Sequence, residues 1–173
     1  YINQFPLSGS GSGTGLRTVP DENITPVSTA RWNMDQYGIE ALGANLVRGR
    51  NFYGEEVEIR REGDEPKSPD VVIVTQALAD ELFPDEDALG KTVFWGTMSP
   101  STVIGIIDHM QGSWVNWDGL NKNVYHARIS DGTFARYLIR TKPDRRDAVM
   151  AIIETELSKL NGDRVIRDVR AQE

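Results

Sequence analysis

Gly90-Lys91-Thr92 carries the tail of a phosphate-binding loop, in which a lysine after a glycine reaches a phosphoryl group. That motif also needs a glycine five positions earlier, where Asp85 stands, and a helix after the lysine, where a strand-like run begins instead. Ser8 to Gly15, alternating serine or threonine with glycine, could cradle a phosphate on backbone N–H groups. No lysine follows it and no helical pattern opens there, so it reads as a flexible loop. His109 and His126 are the only histidines, and they lack a helical metal-binding spacing. Asp80-Glu81 and Asp85-Glu86-Asp87 are carboxylates around a helix end, without the spacing of a calcium loop, and read as solvated. A hydrolase built on Asp80, Glu81 and Asp108 would need a nucleophile or base in a recognisable constellation, and none stands beside them. No Gly-x-Ser-x-Gly elbow occurs, and there is no cysteine, which excludes disulfides and thiolate chemistry. Asn23-Ile24-Thr25 fits a glycosylation triplet of the kind that arises by chance. No catalytic, metal-binding or cofactor-binding residue is assigned, and the expectation is of a non-enzyme without cofactors.

The elements that would position any site are easier to read. Val71 to Val74 is a short β-branched run suited to a buried strand. Thr75 can cap the helix that follows, whose inward face is Leu78, Ala79, Leu82 and Phe83, and Pro84 stops it. Leu89 to Gly96 and Thr102 to Ile107, each marked by glycine, are further strand candidates. Upstream, Tyr1 to Phe5 and Thr25 to Asn33 alternate like half-buried strands. Asn33 or Asp35 caps a short helix with Tyr37, Ala41 and Leu42 facing inward, closed by Gly43. Glu55 to Asp70 is charged and broken by Gly63, Pro66 and Pro69, which reads as a solvated hairpin or mobile loop.

Downstream, Val124 to Ile129 and Tyr137 to Thr141 read as strands. Asp144 to Leu160 has the best helical pattern, with Asp144 as N-cap, a stripe of Val149, Ile152, Ile153, Leu157 and Leu160, and Asn161-Gly162 as its stop. Val165 to Val169 closes the chain as a strand. Between them, the loop from Asp108 to Lys122 holds Trp114 and Trp117. It either folds its tryptophans onto the domain or presents them as a contact for a protein partner.

Composition narrows the function classes. The 173 residues carry a net charge of -7, with 26 acidic against 19 basic side chains. That opposes general nucleic-acid binding and charge-driven docking on anionic lipid. No run approaches the roughly 18 apolar residues of a membrane span. Tyr1 opens in a strand-like run without an initiating Met, so the chain reads as a piece of something longer.

In order, the segments Phe5-Pro6-Leu7-Ser8-Gly9, Ala41-Leu42-Gly43, Leu46-Val47-Arg48-Gly49-Arg50-Asn51-Phe52, Val72 to Val74 with Ala77 to Pro84, Ala88 to Val93, Val103 to Ile107, and Leu138 to Thr141 with the helix and Ile166 to Arg170 after it resemble the extracytoplasmic core domain of MacB-like (FtsX-superfamily) ABC transporter permeases. The chain departs from that pattern at Gly38-Ile39, where the family has an aromatic pair. The resemblance implies an α+β fold of two lobes. A split β-α-β lobe near the membrane takes about residues 1–24 and 109–173, and an inserted mixed α/β lobe takes about 25–108. It implies a domain outside the bacterial inner membrane, on a membrane-spanning parent chain, that couples membrane-helix motion to export or to extracytoplasmic partners. ATP hydrolysis would belong to a separate cytoplasmic subunit or domain. In this reading Gly43, Gly49, Gly90 and Gly105 are turn or close-approach positions, Arg50 and Lys91 pin loops, Phe52 is structural, and Trp114 and Trp117 are the candidate contact.

Overall fold

A computed structural model describes residues 1–65, 67–96, 99–160 and 165–171. Two compact units emerge, Tyr1–Leu138 and Ile139–Glu173. The chain is α+β, as expected.

The first unit is built on eight strands: β1 (Gly13–Arg17), β2 (Val27–Met34), β3 (Leu46–Gly49), β4 (Glu58–Arg61), β5 (Val71–Thr75), β6 (Thr92–Trp95), β7 (Ser99–Ile107) and β8 (Asn123–Asp131). Their order is β2-β1-β6-β7-β5-β8-β4, with β3 on β7, and β2 also pairs in parallel with β8. That last pairing closes six strands, β2-β1-β6-β7-β5-β8, into a ring with no free edge. β3 and β4 hang from it as flanking strands.

Period-two alternation sorts the side chains onto the two faces of the ring. Leu16, Val72, Val74, Val93, Trp95, Val103, Ile106 and Val124 form one buried cluster drawn from five ring strands, and so fill its interior. Leu78, Ala79 and Leu82 of α2 (Gln76–Leu82) join that cluster, and Phe83 packs partly against it. The intervening residues Ala30, Trp32, Met34, Ile73, Ile107, Tyr125 and Ala127 form a second cluster on the outer face, with Ile2, Phe52 and Ile39 of α1 (Gly38–Leu42).

Several local expectations give way. Thr75 precedes α2 but does not cap it with its side chain. Its hydroxyl donates instead to the Asn121 carbonyl (2.7 Å) and accepts the Asn123 N–H (3.0 Å), because the start of β8 lies closer than the helix amides. Tyr37 is 63% exposed, and Ile39 takes the inward position. Asp35 does not cap α1 directly; its carboxylate accepts the Tyr37 N–H (3.0 Å) in the turn before it.

The serine-glycine run is ordered into the sheet. Gly13 to Leu16 pair with Val27 to Ala30, and a Cβ on Gly11 would lie 2.8 Å from both Gln4 and Ser113. Glycine here permits close packing as well as freedom. The charged stretch after Glu55 holds a strand, β4, because β8 runs past the outer cluster and offers it a ladder.

Tyr1 to Phe5 contributes only isolated bridges, from Ile2 to Met34 and Arg136. Asn3 takes part of the ladder with its side chain, its Oδ1 accepting the Asn33 N–H (2.8 Å). Tyr137 to Thr141 and Val165 to Val169 form no strand. In the second unit a 3-10 turn (Pro143–Arg145) leads into α3 (Arg146–Leu160), so Asp144 lies inside that turn rather than at the helix N-cap. Asn161-Gly162, the Leu160 side chain and Pro66 fall outside the described residues.

The expected lobe division assigns β8 to one lobe and β2 and β5 to the other, yet these strands pair directly. The boundary between compact units falls instead between Leu138 and Ile139.

Candidate functional site: the tryptophan loop and the polar interior

The loop between β7 and β8 starts at an exposed turn and is tied down at its base. The Gly112 N–H donates to the Leu120 carbonyl (2.6 Å), which pinches the loop closed. Its carbonyl accepts the Leu7 N–H (3.0 Å), and the Ser113 carbonyl accepts the Gly9 N–H (2.8 Å). The serine-glycine run thus lies along the loop and helps to hold it.

Asn123 links this loop to the core. Its Oδ1 accepts the Trp32 indole N–H (2.8 Å), while its Nδ2 donates to the Met110 carbonyl (2.7 Å) and the Leu120 carbonyl (3.3 Å). Trp114 and Trp117 meet edge to face at 5.5 Å and pack half-buried against the outer cluster. A Cβ on Gly119 would lie 2.5 Å from the Trp117 ring, so that glycine makes room for the indole. Between them Val115 is 61% exposed. The tryptophans fold half-buried onto the domain, and Val115, between them in sequence, faces solvent.

The other singled-out residues lie apart from this loop. Gly49 holds φ +73, and a Cβ there would sit 2.2 Å from the Ile104 carbonyl, so only glycine fits where β3 crosses β7. Gly105 meets the same crossing from the other side, with the Arg50 carbonyl 2.6 Å from where its Cβ would be. Gly43 and Gly90 occupy left-handed turn positions. The Arg50 guanidinium grips both Glu56 oxygens (2.8 and 2.6 Å), donates to the Asn51 carbonyl (3.0 Å) and lies 4.2 Å from the Tyr53 ring centre. The bond from Arg50 is the main reason the Glu56 carboxyl sits below its ordinary range, with the Tyr53 N–H adding to it. Phe52 is buried in the outer cluster. Lys91 pairs with Glu86 at the surface.

The carboxylates considered for hydrolysis are engaged separately: Asp80 accepts the Gln76 amide (2.7 Å), Glu81 pairs with Lys122, and Asp108 is exposed after β7. Among the described residues, no group of three or more His, Cys, Asp or Glu could hold a metal ion.

One grouping was not anticipated. Inside the ring, His126 stacks on Trp95 with ring centres 5.2 Å apart. Its Nδ1 lies 3.2 Å from Asn33 Oδ1 and its buried Nε2 has no hydrogen-bond partner. Burial, reinforced by Arg128, Arg31 and Arg60, pushes its pKa down to about 3. The signal was present as polar residues at alternate positions, Arg31-x-Asn33 in β2 and His126-x-Arg128 in β8. Alternation shows that such residues share a face but not which face is inside.

The comparisons agree with the architecture. The family model for the MacB-like periplasmic core domain matches residues 7–156. The macrolide export ATP-binding/permease protein MacB of Neisseria gonorrhoeae is 28% identical over 115 residues, 66% of this chain and 16% of that protein. The MacB protein of Neisseria meningitidis serogroup B is similar to the same extent. The chain thus spans about a sixth of the length of these relatives. The periplasmic region of MacB from Actinobacillus actinomycetemcomitans shares the fold, with a TM-score of 0.53 and 22% identity over 87% of this chain and 64% of that one. So does the extracellular domain of the ABC-type transporter YknZ from Gram-positive bacteria, with a TM-score of 0.53 and 15% identity over 88% of this chain and 73% of that one. With its family model spanning most of the sequence, the chain belongs to the MacB-like periplasmic core domains, the extracytoplasmic domains of ABC transporter permeases.

Proposed function

We propose that this domain is a non-catalytic coupling element of an ABC transporter permease, carrying membrane-helix motion to export or to partners outside the bacterial inner membrane. The family match over residues 7–156 carries this reading. The closed ring supports it, because strands without free edges and a filled interior make a stiff body that transmits motion. ATP would be hydrolysed by a cytoplasmic subunit or domain, reached through the parent chain's membrane helices. No described helix is long and apolar enough to cross a membrane.

The test replaces residues 1–173 by a flexible linker in the parent permease, reconstituted with its ATPase. ATP hydrolysis should persist while ATP-driven export of the parent's substrate is lost. Export at the original rate would sink the proposal. A parent reading frame lacking apolar runs of about 20 residues near either end of the chain would sink it as well.

A second reading, a scaffold that captures a protein partner through the tryptophan loop, is favoured by Val115 standing exposed between two half-buried indoles. Substituting Val115 with aspartate leaves the anchors intact. It should abolish capture of an extracytoplasmic partner with no change in the unfolding midpoint.

A further inference from the structure

The inward face of β2 and β8, continued by β4 beyond the ring, carries more guanidinium groups than carboxylates among the described residues. Strand alternation and register put Arg31 and Asn33 of β2, His126 and Arg128 of β8, and Glu58 and Arg60 of β4 on one continuous face: Asn33 lies opposite His126, and Glu58 opposite Arg128. Arg128 is satisfied, since its guanidinium grips Glu58 Oε2 (2.8 and 2.6 Å) and donates to the Lys67 carbonyl. Arg60 makes one long bond, to the Asp64 carbonyl (3.5 Å). Arg31 has a buried Nε without a hydrogen-bond partner, and the charges that act on it are the like charges of Arg128 and Arg60. Beside them His126, 2% exposed, leaves its Nε2 unused. A guanidinium half out of water and facing other cations is costly unless an anion joins it.

We infer that Arg31 and Arg60, with His126 beside them, bind a small doubly charged oxyanion of the phosphate class at this end of the ring. Two guanidiniums without carboxylate partners among the described residues match two negative charges, and their planar forks suit a tetrahedral oxyanion. His126 refines the choice. With Nδ1–H donating to Asn33 Oδ1, Nε2 is an acceptor, and monohydrogen phosphate brings the O–H that can fill it. Sulfate and acetate lack that proton at neutral pH. The inference does not depend on the transporter reading, because it concerns the charge balance of the ring alone.

The experiment is thermal unfolding of this chain at pH 7.5 in inorganic phosphate, sulfate, acetate or chloride at equal ionic strength. Between no phosphate and a hundredfold excess over its dissociation constant, the midpoint should rise by about 5 to 10 °C. Sulfate should act more weakly, and acetate no more than chloride. Arg31→Met keeps the apolar stem and removes the charge. It should erase the phosphate response and unfold no earlier than the parent chain in chloride. Arg60→Met, further from the buried core, should weaken phosphate binding at least tenfold and leave the chain folded. Equal midpoints in phosphate and chloride would overturn the site, as would an undiminished response in Arg31→Met. An acetate response equal to that of phosphate would overturn the assignment of the ligand class.

Discussion

β8 carries one stacked aromatic pair on each of its faces, and the two pairs are used differently. Outside the ring, Trp32 and Tyr125 stack with centres 6.1 Å apart, and the Trp32 indole bonds to Asn123, which in turn holds the tryptophan loop. Inside, Trp95 and His126 stack at 5.2 Å, and the Trp95 indole donates to Ser101 Oγ (2.6 Å), which donates in turn to the Pro69 carbonyl. The outer pair passes order outward to a surface. In the inner pair, burial and the charges of Arg128, Arg31 and Arg60 keep the histidine neutral. A single strand therefore separates a mechanical anchor from an electrostatic one, because neighbouring residues along it point to opposite sides.

Large-to-small changes at the two stacks test that separation most strongly. Trp32→Ala should cost about 3–5 kcal/mol and loosen the loop, seen as early hydrogen exchange at Gly112 and Leu120. Trp95→Ala should cost about as much and leave the loop's exchange unchanged. Equal loosening in both variants would mean that the two faces are not independent. Next comes Asn123→Ala, which strands the Trp32 N–H and the Met110 carbonyl at a cost of about 2–3 kcal/mol. Its effect should fall on the loop first.

Acid should reveal the inner pair. The folded-state pKa of His126, about 3, lies below the ordinary value of 6.5, so the unfolded chain takes up the proton first. Its contribution is complete above pH 6.5 and is lost as pH falls toward 3. At about 1.4 kcal/mol per unit, the loss approaches about 2 kcal/mol by pH 5. The groups that oppose the proton besides burial are Arg128, Arg31 and Arg60. The measurement is urea unfolding at pH 7.5 and pH 5 in phosphate-free buffer, for the parent chain and for His126→Leu. The parent should lose more stability between the two pH values, and equal losses would show that His126 is not held neutral.

How far the sequence reveals this structure depends on whether a residue's environment is local. Val71 to Val74, the apolar face of α2 and the Gly43 turn are legible because each is determined by neighbours within a few positions. Thr75 looks like a cap by the same local logic, but Asn121 and Asn123, 46 and 48 residues away, take its hydroxyl. The serine-glycine run reads as flexible from composition, and only contacts from outside it, Gln4 and Ser113 at Gly11 and Pro26 at Gly15, leave no room there for a side chain. The parallel pairing of β2 with β8 joins residues 93 positions apart, such as Asn33 and His126. No periodicity within either strand announces it, so the arginine cluster that it creates was unreadable as well. Trp114 and Trp117 could be singled out as a pair, while their half-burial depends on Gly119 and the outer cluster.

The smallest effect sharpens the contrast between interior and surface charge. Arg50 and Glu56 form a two-pronged pair near the outer cluster, partly open to water, with the Tyr53 N–H also donating to Glu56 (2.8 Å). Exposed pairs of this kind contribute about 0.2–1 kcal/mol, and each partner remains hydrated when the other is removed. Glu56→Gln should therefore lower stability by about 0.5–1 kcal/mol, somewhat more than the pair alone because the bond to Tyr53 weakens too. The loss should shrink in high salt. Arg128, only 4% exposed, has no such solvent fallback, and Glu58→Gln should be costlier and less sensitive to salt. Denaturant unfolding of both variants at low and high chloride distinguishes them. If Glu58→Gln were as mild and as salt-sensitive as Glu56→Gln, Arg128 would be in contact with water, and the ring interior would not be the desolvated cationic site that its geometry describes.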